Sequence, residues 1–229
     1  MTASSSVGRL HEQSPAAEPS RAERRDRATI ETRRAIIDAA RSALLADGYA
    51  AMSTRRVAER ASSPLSQIHY HFGSKRQLIL AVLASENARL LERQREMFAS
   101  SEPLWVRWER ACDFLEADLA SGYVRILHEM IAAGWSDQTV AAAVREMIAG
   151  WTGLLAEVAL AEQEGTGDLG PFTPGEVAVL MAAPFLGAEE LILLGVPEST
   201  LPLRSALRKV GSLLRVVDRR EPDADGARP

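Results

Sequence analysis

The chain contains 229 residues, of which 46% are hydrophobic and 25% charged, and its formal net charge is −4. This composition is typical of a globular protein and excludes a collagen-like or wholly disordered chain, while the length allows one or two domains of roughly 150 residues. No apolar run reaches the roughly 18–20 residues that span a bilayer, and no apolar signal-peptide core is visible near the N-terminus, so we expect no membrane partner.

The N-terminal segment, residues 1–28, is rich in Ser, Ala, Pro, Glu and Arg. This composition predicts a disordered arm. Its arginines are suited to contact a DNA groove, and a fully solvated tail without a partner is an equal alternative. Residues 21–76 hold twelve Lys and Arg against six Asp and Glu. This segment is therefore net positive by six, and the remainder of the chain is net negative by ten. A basic segment joined to an acidic body indicates a face that binds a polyanion.

Residues 29–74 show three helical patterns, of which the first is the longest. Gly48 stands where the first helix should stop, and Ser53 is placed to cap the second. Ser63 is the expected cap of the third helix, with Pro64 at its first position, where a missing N–H costs nothing. Gly73 ends this third helix. Two short helices joined by a tight turn after a longer one predict a helix-turn-helix.

In a helix-turn-helix the second helix lies in the major groove and the first crosses the backbone. Apolar positions of the two short helices face each other, which leaves the polar positions for DNA. Gln67 suits an adenine edge, Leu65 a thymine methyl and Arg55 a guanine, whereas later hydroxyls, rings and cations suit phosphates. The predicted DNA-binding residues are Ser53, Thr54, Arg55, Leu65, Ser66, Gln67, His69, Tyr70, His71 and Lys75.

The run IHYHFGSKRQL at residues 68–78, together with the basic N-terminal unit and the acidic helical body, resembles the TetR family of one-component transcriptional regulators. The resemblance in motif covers residues 29–82, and it implies operator contacts at the same ten positions. The chain departs from the family pattern at the turn, where Ser62 and Ser63 replace the usual glycine and apolar residue. A serine in a left-handed turn costs roughly 1 kcal/mol relative to glycine. His69 also replaces the first of two usual aromatic residues.

Residues 75–218 continue as a larger helical body, followed by a second flexible tail at residues 219–229. We expect Ser74 to Gln77 to form a capping box, Ser136 to cap a long helix, and Thr173 with Glu176 to form another capping box. A kink is expected at Pro184. No strand-like alternation is visible, so the predicted fold is all-α: a three-helix DNA-binding domain, then an effector-binding and dimerisation domain, with about nine helices in total.

The last helix carries an apolar seam at spacings of four and three residues, which suits packing against another helix. The family resemblance implies a two-fold dimer built from the last two long helices, and a dimer would place two recognition helices in successive major grooves of a near-palindromic operator. The same seam also suits packing within one chain. The predicted dimer-interface residues are Leu203, Leu207, Val210 and Leu214.

The resemblance also implies a small-molecule pocket inside the body. Large apolar side chains at helical spacing equally suit a plain core, whereas tryptophan N–H groups favour a pocket. Glu129, Glu189 or Glu190 can orient a polar or cationic ligand, or can simply face solvent. The candidate effector-binding residues are Trp105, Trp108, Cys112, Phe114, Tyr123, Met130, Trp135, Trp151, Leu155 and Phe185.

The predicted function is that of a dimeric repressor, released from its DNA operator by a small-molecule effector of unknown identity. A regulator controlled by a protein partner, or one that activates transcription, remains an alternative. A helical enzyme is disfavoured because no nucleophile–base set, phosphate loop or metal-ligand spacing is visible, and we expect no cofactor or metal. Cys112 cannot form an internal disulfide, which fits the cytoplasm, and it suits either a redox sensor or a buried inert thiol.

Overall fold

In the computed structural model, residues 20–166 and 169–218 are described, and these ranges fold into nine α-helices without a strand. The predicted all-α fold is confirmed. The helices are α1 (Arg21–Ala51), α2 (Thr54–Arg60), α3 (Leu65–Phe72), α4 (Lys75–Phe98), α5 (Leu104–Ser121), α6 (Tyr123–Gly134), α7 (Gln138–Thr166), α8 (Pro174–Leu193) and α9 (Leu203–Asp218).

The first helix begins earlier than the sequence predicted. Ser20 and Glu23 form a capping box, in which each side chain accepts from the other residue's backbone N–H. The helix therefore covers residues 21–28, which had been assigned to a disordered arm. Residues 1–19 and the predicted tail at 219–229 lie outside the described residues. At Gly48 the backbone leaves the helical region (φ 74°, ψ 169°), so the predicted stop appears as a bend near the end of α1.

The predicted helix caps are partly confirmed. The hydroxyl of Ser53 accepts from the backbone N–H of Arg56 at 3.3 Å, and Thr173 forms the expected capping box with Glu176. Ser74 accepts from the N–H of Gln77, which is half of the predicted box. Pro184 lies inside α8, and the helix continues through it to Leu193.

Two predicted caps are wrong by one residue. The N-cap of α3 is Pro64, without a side-chain hydrogen bond, so Ser63 lies one position outside the helix. The cap of α7 is Asp137 rather than Ser136, because the Asp137 carboxylate accepts from the backbone N–H groups of Thr139 (2.9 Å) and Val140 (3.3 Å). An ionised carboxylate accepts more strongly than a hydroxyl.

One continuous core joins the first three helices to the body. It contains Ile36, Val57 and Ile68 from the N-terminal helices together with Val124 and Val140 from α6 and α7. These five side chains are at most 1% exposed. Because this core is shared, a displacement of α6 or α7 also displaces side chains that support the DNA-binding helices. No helix in the described ranges is long and apolar enough to cross a membrane.

The apolar seam of α9 packs inside the chain. Leu207 is buried in a second cluster with Trp108, Cys112 and Phe185, and the indole Nε1–H of Trp108 donates to the backbone carbonyl of Leu207 at 2.7 Å. Leu203, Val210 and Leu214 pack on the same cluster and are partly buried. Within one chain, the seam therefore packs against α5, as the intramolecular alternative predicted. The place of Leu203, Leu207, Val210 and Leu214 in a dimer interface stays a prediction.

Candidate DNA-binding face and body cavity

Helices α2 and α3 are held together by small and branched apolar side chains. Val57 and Ala58 of α2 are buried against Ile68 and Phe72 of α3, and Ala61 packs on the same core. The predicted inward positions are confirmed. Their burial fixes the rotation of α3 about its axis, so the polar positions between them point outward.

The turn between α2 and α3 forms a hydrogen-bonded helix C-terminus. The N–H of Ser62 donates to the carbonyl of Glu59 (3.1 Å), and the N–H of Ser63 donates to that of Ala58 (3.0 Å). This pattern is a Schellman motif, whose residue in the left-handed conformation is usually glycine. Here that residue is Ser62 (φ 48°), the one non-glycine residue with positive φ in the described ranges. The turn keeps its usual geometry, and the serine carries the strain.

The outward face of α3 is polar and accessible. Tyr70 is 77% exposed, and its ring stands edge-on to the ring of His71 with centroids 5.0 Å apart. Nδ1 of His69 lies 3.3 Å from the carbonyl oxygen of Gly73, so His69 lies close to the end of its own helix. Ser66 and His69 are exposed, whereas Leu65, Gln67 and His71 are half-buried.

Basic side chains flank this face on α2 and α4. Arg55 is exposed at the start of α2, whereas Arg56 pairs with Asp47 at 3.0 Å. Nζ of Lys75 donates to the carbonyl of Ala50 at 3.1 Å. A lysine ammonium carries three donors, so Lys75 retains hydrogen atoms for a further acceptor. Ser53, Thr54 and Lys75 are half-buried.

The body contains a cavity among α4, α5, α6, α7 and α8. The space open to the centre of a water molecule is about 60 Å³, enough for several waters. Apolar and aromatic side chains dominate the wall, with a few polar groups between them. The lining residues are Asn87, Leu90, Gln94, Phe98, Trp108, Ala111, Phe114, Leu115, Asp118, Tyr123, Leu127, Met147, Ile148, Trp151, Leu155, Met181, Phe185, Leu186 and Glu189.

Residues 36–82, which contain α2, α3 and the start of α4, match the family described as "Bacterial regulatory proteins, tetR family". Residues 36–82 therefore carry the DNA-binding domain of this family. Its members are DNA-binding transcriptional regulators, and the predicted resemblance is confirmed. No curated protein sequence matches the chain.

Solved structures of transcriptional regulators have the same fold as this chain. A TetR-family regulator from Rhodococcus sp. is 22% identical, with a TM-score of 0.67 over 81% of this chain and 98% of that one. FadR from Bacillus subtilis, in complex with stearoyl-CoA, is 15% identical, with a TM-score of 0.63 over 79% and 96%. A transcriptional regulator from Saccharomonospora viridis, in complex with choline, is 18% identical, with a TM-score of 0.64 over 83% and 97%.

The structure brings six of the ten candidate effector-binding residues to the cavity. The other four lie elsewhere: Trp135 is 80% exposed, Met130 belongs to the core shared with the DNA-binding helices, and Cys112 packs behind the wall against α9. The Trp105 ring is covered by the guanidinium of Arg215, whose Cζ lies 3.6 Å from the ring centroid. The six that line the cavity are Trp108, Phe114, Tyr123, Trp151, Leu155 and Phe185.

Two carboxylates line the cavity of the regulator. Oε2 of Glu189 lies 3.2 Å from Nε2 of His128. Burial raises the pKa of the Glu189 carboxyl, and the contact with His128 opposes that rise. Asp118 accepts two hydrogen bonds from NH2 of Arg93, at 2.8 and 2.6 Å. Burial raises the pKa of Asp118, and Arg93 opposes it.

Neither Asp118 nor its partner Arg93 could be recognised from the sequence, because an acidic residue on an amphipathic helix normally faces solvent. Of the three glutamates considered as ligand-orienting groups, Glu189 lines the cavity, Glu190 is exposed, and Glu129 turns toward α1. The two polar amides of the wall, Asn87 and Gln94, were also missed. Only the packing of α4 against α7 brings them to the cavity.

Helix α6 connects the body to the DNA-binding helices. The carboxylate of Glu129 accepts from the backbone N–H of Tyr49 at 2.6 Å, and Nη1 of Arg125 donates to the carbonyl of Leu45 at 3.0 Å. Gly122, at the start of α6, touches the Leu45 side chain so closely that an added Cβ would lie 2.5 Å from Cδ2. The end of α1 is therefore held by polar and steric contacts with α6.

Proposed function

We propose that the regulator is a dimeric repressor that binds a near-palindromic operator in the cytoplasm and is released by a small-molecule effector. The observation that carries this proposal is a cavity whose wall includes α6, the same helix that holds the end of α1. A ligand that displaces α6 also displaces the base of the DNA-binding helices. Two proteins of the same fold are in complex with small molecules, stearoyl-CoA and choline, which supports an effector rather than a protein partner.

The DNA-binding domain in this proposal comprises residues 29–74, preceded by the first turns of α1, and the body comprises residues 75–218. Exposed Arg55, with Gln67 and Leu65, is placed to contact base edges, because such side chains offer the donors and methyl groups that distinguish bases. The remaining side chains of the face are hydroxyls, rings and an ammonium suited to phosphate oxygens. These are Ser53, Thr54, Ser66, His69, Tyr70, His71 and Lys75.

The exposed apolar face of α8 is the proposed dimer interface. Val179 and Leu180 are 57% and 56% exposed, and Leu194, just past the helix, is 72% exposed. Ala183 and Gly187 are also exposed on α8, and such small residues allow a second helix to approach closely. An exposed apolar stripe of this kind marks an interaction surface in soluble proteins. In this proposal the α8 stripe, and not the α9 seam that packs on α5, forms the contact between the two protomers.

Release in this proposal is a shift between two populations. The free dimer holds its recognition helices at the spacing of successive major grooves, roughly 34 Å, and the effector stabilises a state in which that spacing is lost. The effector can lower operator affinity only by its own preference for that second state. A nearly complete switch requires a preference of about 5 kcal/mol.

A mobility-shift titration tests the proposal. The purified regulator is mixed with the DNA that flanks its own gene, at two salt concentrations and with excess non-specific competitor. We expect a shift that resists competitor and a complex that contains two protomers. Leu180→Glu should give a monomer with weakened binding, whereas Leu160→Glu, at another exposed leucine outside α8, should remain dimeric. Loss of every shift to competitor would contradict the proposal, as would undiminished binding by a monomeric variant.

A further inference from the structure

The cavity wall contains acidic side chains but no basic ones among its described residues. Among the described residues that line it, the ionisable side chains are Asp118, Glu189 and Tyr123, and none is Lys, Arg or His. An anionic ligand would therefore meet the Glu189 carboxylate, and no basic side chain of the wall, in a partly desolvated space where like charges repel strongly. A ligand with a positive charge meets the opposite situation.

Glu189 is the carboxylate that is available to a ligand. Asp118 is neutralised by two hydrogen bonds from Arg93. Glu189 is only 9% exposed, and its one hydrogen-bonding contact among the described residues joins Oε2 to His128. Its second oxygen, Oε1, receives no donor within the described ranges. This oxygen is therefore free to pair with a charged group of a ligand, and in a partly desolvated space such a pairing is stronger than in water.

The two tryptophan donors of the cavity are already paired within the protein. The indole N–H of Trp108 is used by the carbonyl of Leu207, and that of Trp151 is used by Oε1 of Gln94 at 2.8 Å. Oδ1 of Asn87 is buried without a hydrogen-bond partner in the described part of the chain. The Asn87 oxygen is therefore an acceptor available to a ligand, and the amide groups of Asn87 and Gln94 supply the remaining donors of the wall.

Aromatic rings complete the site. The rings of Trp108 and Phe185 pack with centroids 5.2 Å apart, and Phe114, Tyr123 and Trp151 line other parts of the cavity. The negative faces of aromatic rings attract cations, and organic ammonium groups are bound by rings arranged in this way. Such rings also bury the apolar part of a ligand.

We propose that the ligand of this cavity is a lipophilic organic cation whose charged nitrogen pairs with the Glu189 carboxylate among these aromatic side chains. The inference rests on the proposed function, since it assigns a chemical class to the effector of the same cavity. The space in the unliganded cavity is about 60 Å³, so side chains move on binding. Met147 and Met181 lie in the wall, and their unbranched, flexible thioethers adapt readily to a ligand.

Calorimetric titration of the full-length protein, without DNA, tests the inference with two probes of nearly identical shape. Benzyltrimethylammonium carries a positive charge, and neopentylbenzene has carbon in place of its nitrogen. Phenylacetate serves as the anionic probe. We expect the cation to bind at least about tenfold more tightly than neopentylbenzene and phenylacetate to bind more weakly than either.

A matched pair of variants tests whether the charge of Glu189 causes the preference for the cation. Glu189→Gln keeps the size and the hydrogen-bonding capacity of the side chain but removes its charge, and it should reduce the preference for the cation by about tenfold. Glu190→Gln, at the adjacent exposed position, should leave that preference unchanged. The comparison of benzyltrimethylammonium with neopentylbenzene uses the unaltered protein alone. The inference therefore stays testable if Glu189→Gln folds poorly.

Equal affinities for the cation and neopentylbenzene would overturn the inference, and so would absent binding of the cation or a full preference retained in Glu189→Gln. These outcomes are separate from a failure of the proposed function, which concerns DNA. Release of the operator by neopentylbenzene but not by the cation would contradict the ligand class and preserve the regulator. Selective binding of the cation without any operator release would preserve the ligand class and contradict the effector-controlled mechanism.

Discussion

The carboxylate of Glu129 and the backbone N–H of Tyr49 form a hydrogen bond of 2.6 Å that joins the body to the end of α1. The residue before Glu129 is His128, whose ring lies 3.2 Å from Glu189 at the cavity. Tyr49 directly follows the bend at Gly48 and precedes α2. Adjacent residues of α6 therefore contact both the proposed ligand site and the base of the helix-turn-helix.

Glu129→Ala should reduce the effect of a ligand on operator affinity while leaving ligand affinity nearly unchanged. The substitution removes the acceptor of the Tyr49 N–H, and an unpaired, partly buried N–H costs about 1–3 kcal/mol. Operator affinity is measured by fluorescence anisotropy with and without benzyltrimethylammonium. Glu129→Gln retains an acceptor and is the control. An undiminished response in Glu129→Ala would exclude this hydrogen bond from the coupling.

Lys75→Ala and Arg55→Ala should weaken DNA binding in different ways. Lys75 is placed for a phosphate, so its loss should weaken all sequences alike and reduce the salt slope by about one. Arg55 is placed for a base, so its loss should cost about 1–3 kcal/mol at the operator and relax its base preference. Binding isotherms on operator and scrambled DNA at several salt concentrations separate the two effects. Identical changes in both variants would contradict this division.

Ser62→Gly should stabilise the protein. Ser62 has a φ of 48°, a left-handed conformation that costs a side-chain-bearing residue roughly 1–2 kcal/mol, and the greater freedom of glycine in the unfolded chain offsets part of the gain. A net gain of about 1 kcal/mol raises Tm by roughly 2–4 °C for a protein of this size. Differential scanning calorimetry measures the shift. Ser63→Gly, at the next position, lacks this benefit, and an equal or lower Tm for Ser62→Gly than for Ser63→Gly would refute the argument.

Binding of an organic cation should weaken as the pH falls. Burial raises the pKa of Glu189 in the folded protein, against the opposing contact with His128 and with a smaller contribution from Asp118. The cation pairs with the ionised carboxylate, so below that raised pKa a proton must leave on binding. Because burial raises this pKa, the folded protein binds the Glu189 proton more tightly than the unfolded chain does. The protonated side chain therefore contributes to the stability of the fold at low pH, and this contribution declines as the pH rises through the raised pKa. Calorimetry in buffers of different ionisation enthalpy should detect proton release in that range, and Glu189→Gln should abolish it.

Cys112 should be unreactive in the native protein. Its side chain is 3% exposed, and burial raises the pKa of the thiol to about 11. Little thiolate is then present at neutral pH, and thiolate is the reactive form. Mass spectrometry after iodoacetamide treatment should show alkylation only after unfolding, and Cys112→Ser should bind the operator normally. Rapid alkylation of the folded protein would restore the redox-sensor alternative.

The sequence predicted the DNA-binding helices well because their determinants are local. Ser53, Gly73 and the strained Ser62 act through neighbouring backbone groups, so their roles follow from spacing alone. The helix that packs on the α9 seam could not be predicted in this way. Leu203 and Leu207 predict a helical partner, but their spacing does not distinguish α5 from a helix of a second chain. Cavity residues depend on long-range packing, which explains why Trp135 was included among the candidates and Asp118 was missed.

Selection of bound sequences from a pool of random duplex DNA tests the central claim most directly. The regulator is immobilised, and bound DNA is amplified over several rounds at physiological salt. Enrichment of one near-palindromic sequence, bound by two protomers and less sharply selected by Arg55→Ala, is the result predicted for a sequence-specific dimer. A pool that remains random while the protein is folded and dimeric would contradict the claim that this face of α2 and α3 recognises an operator.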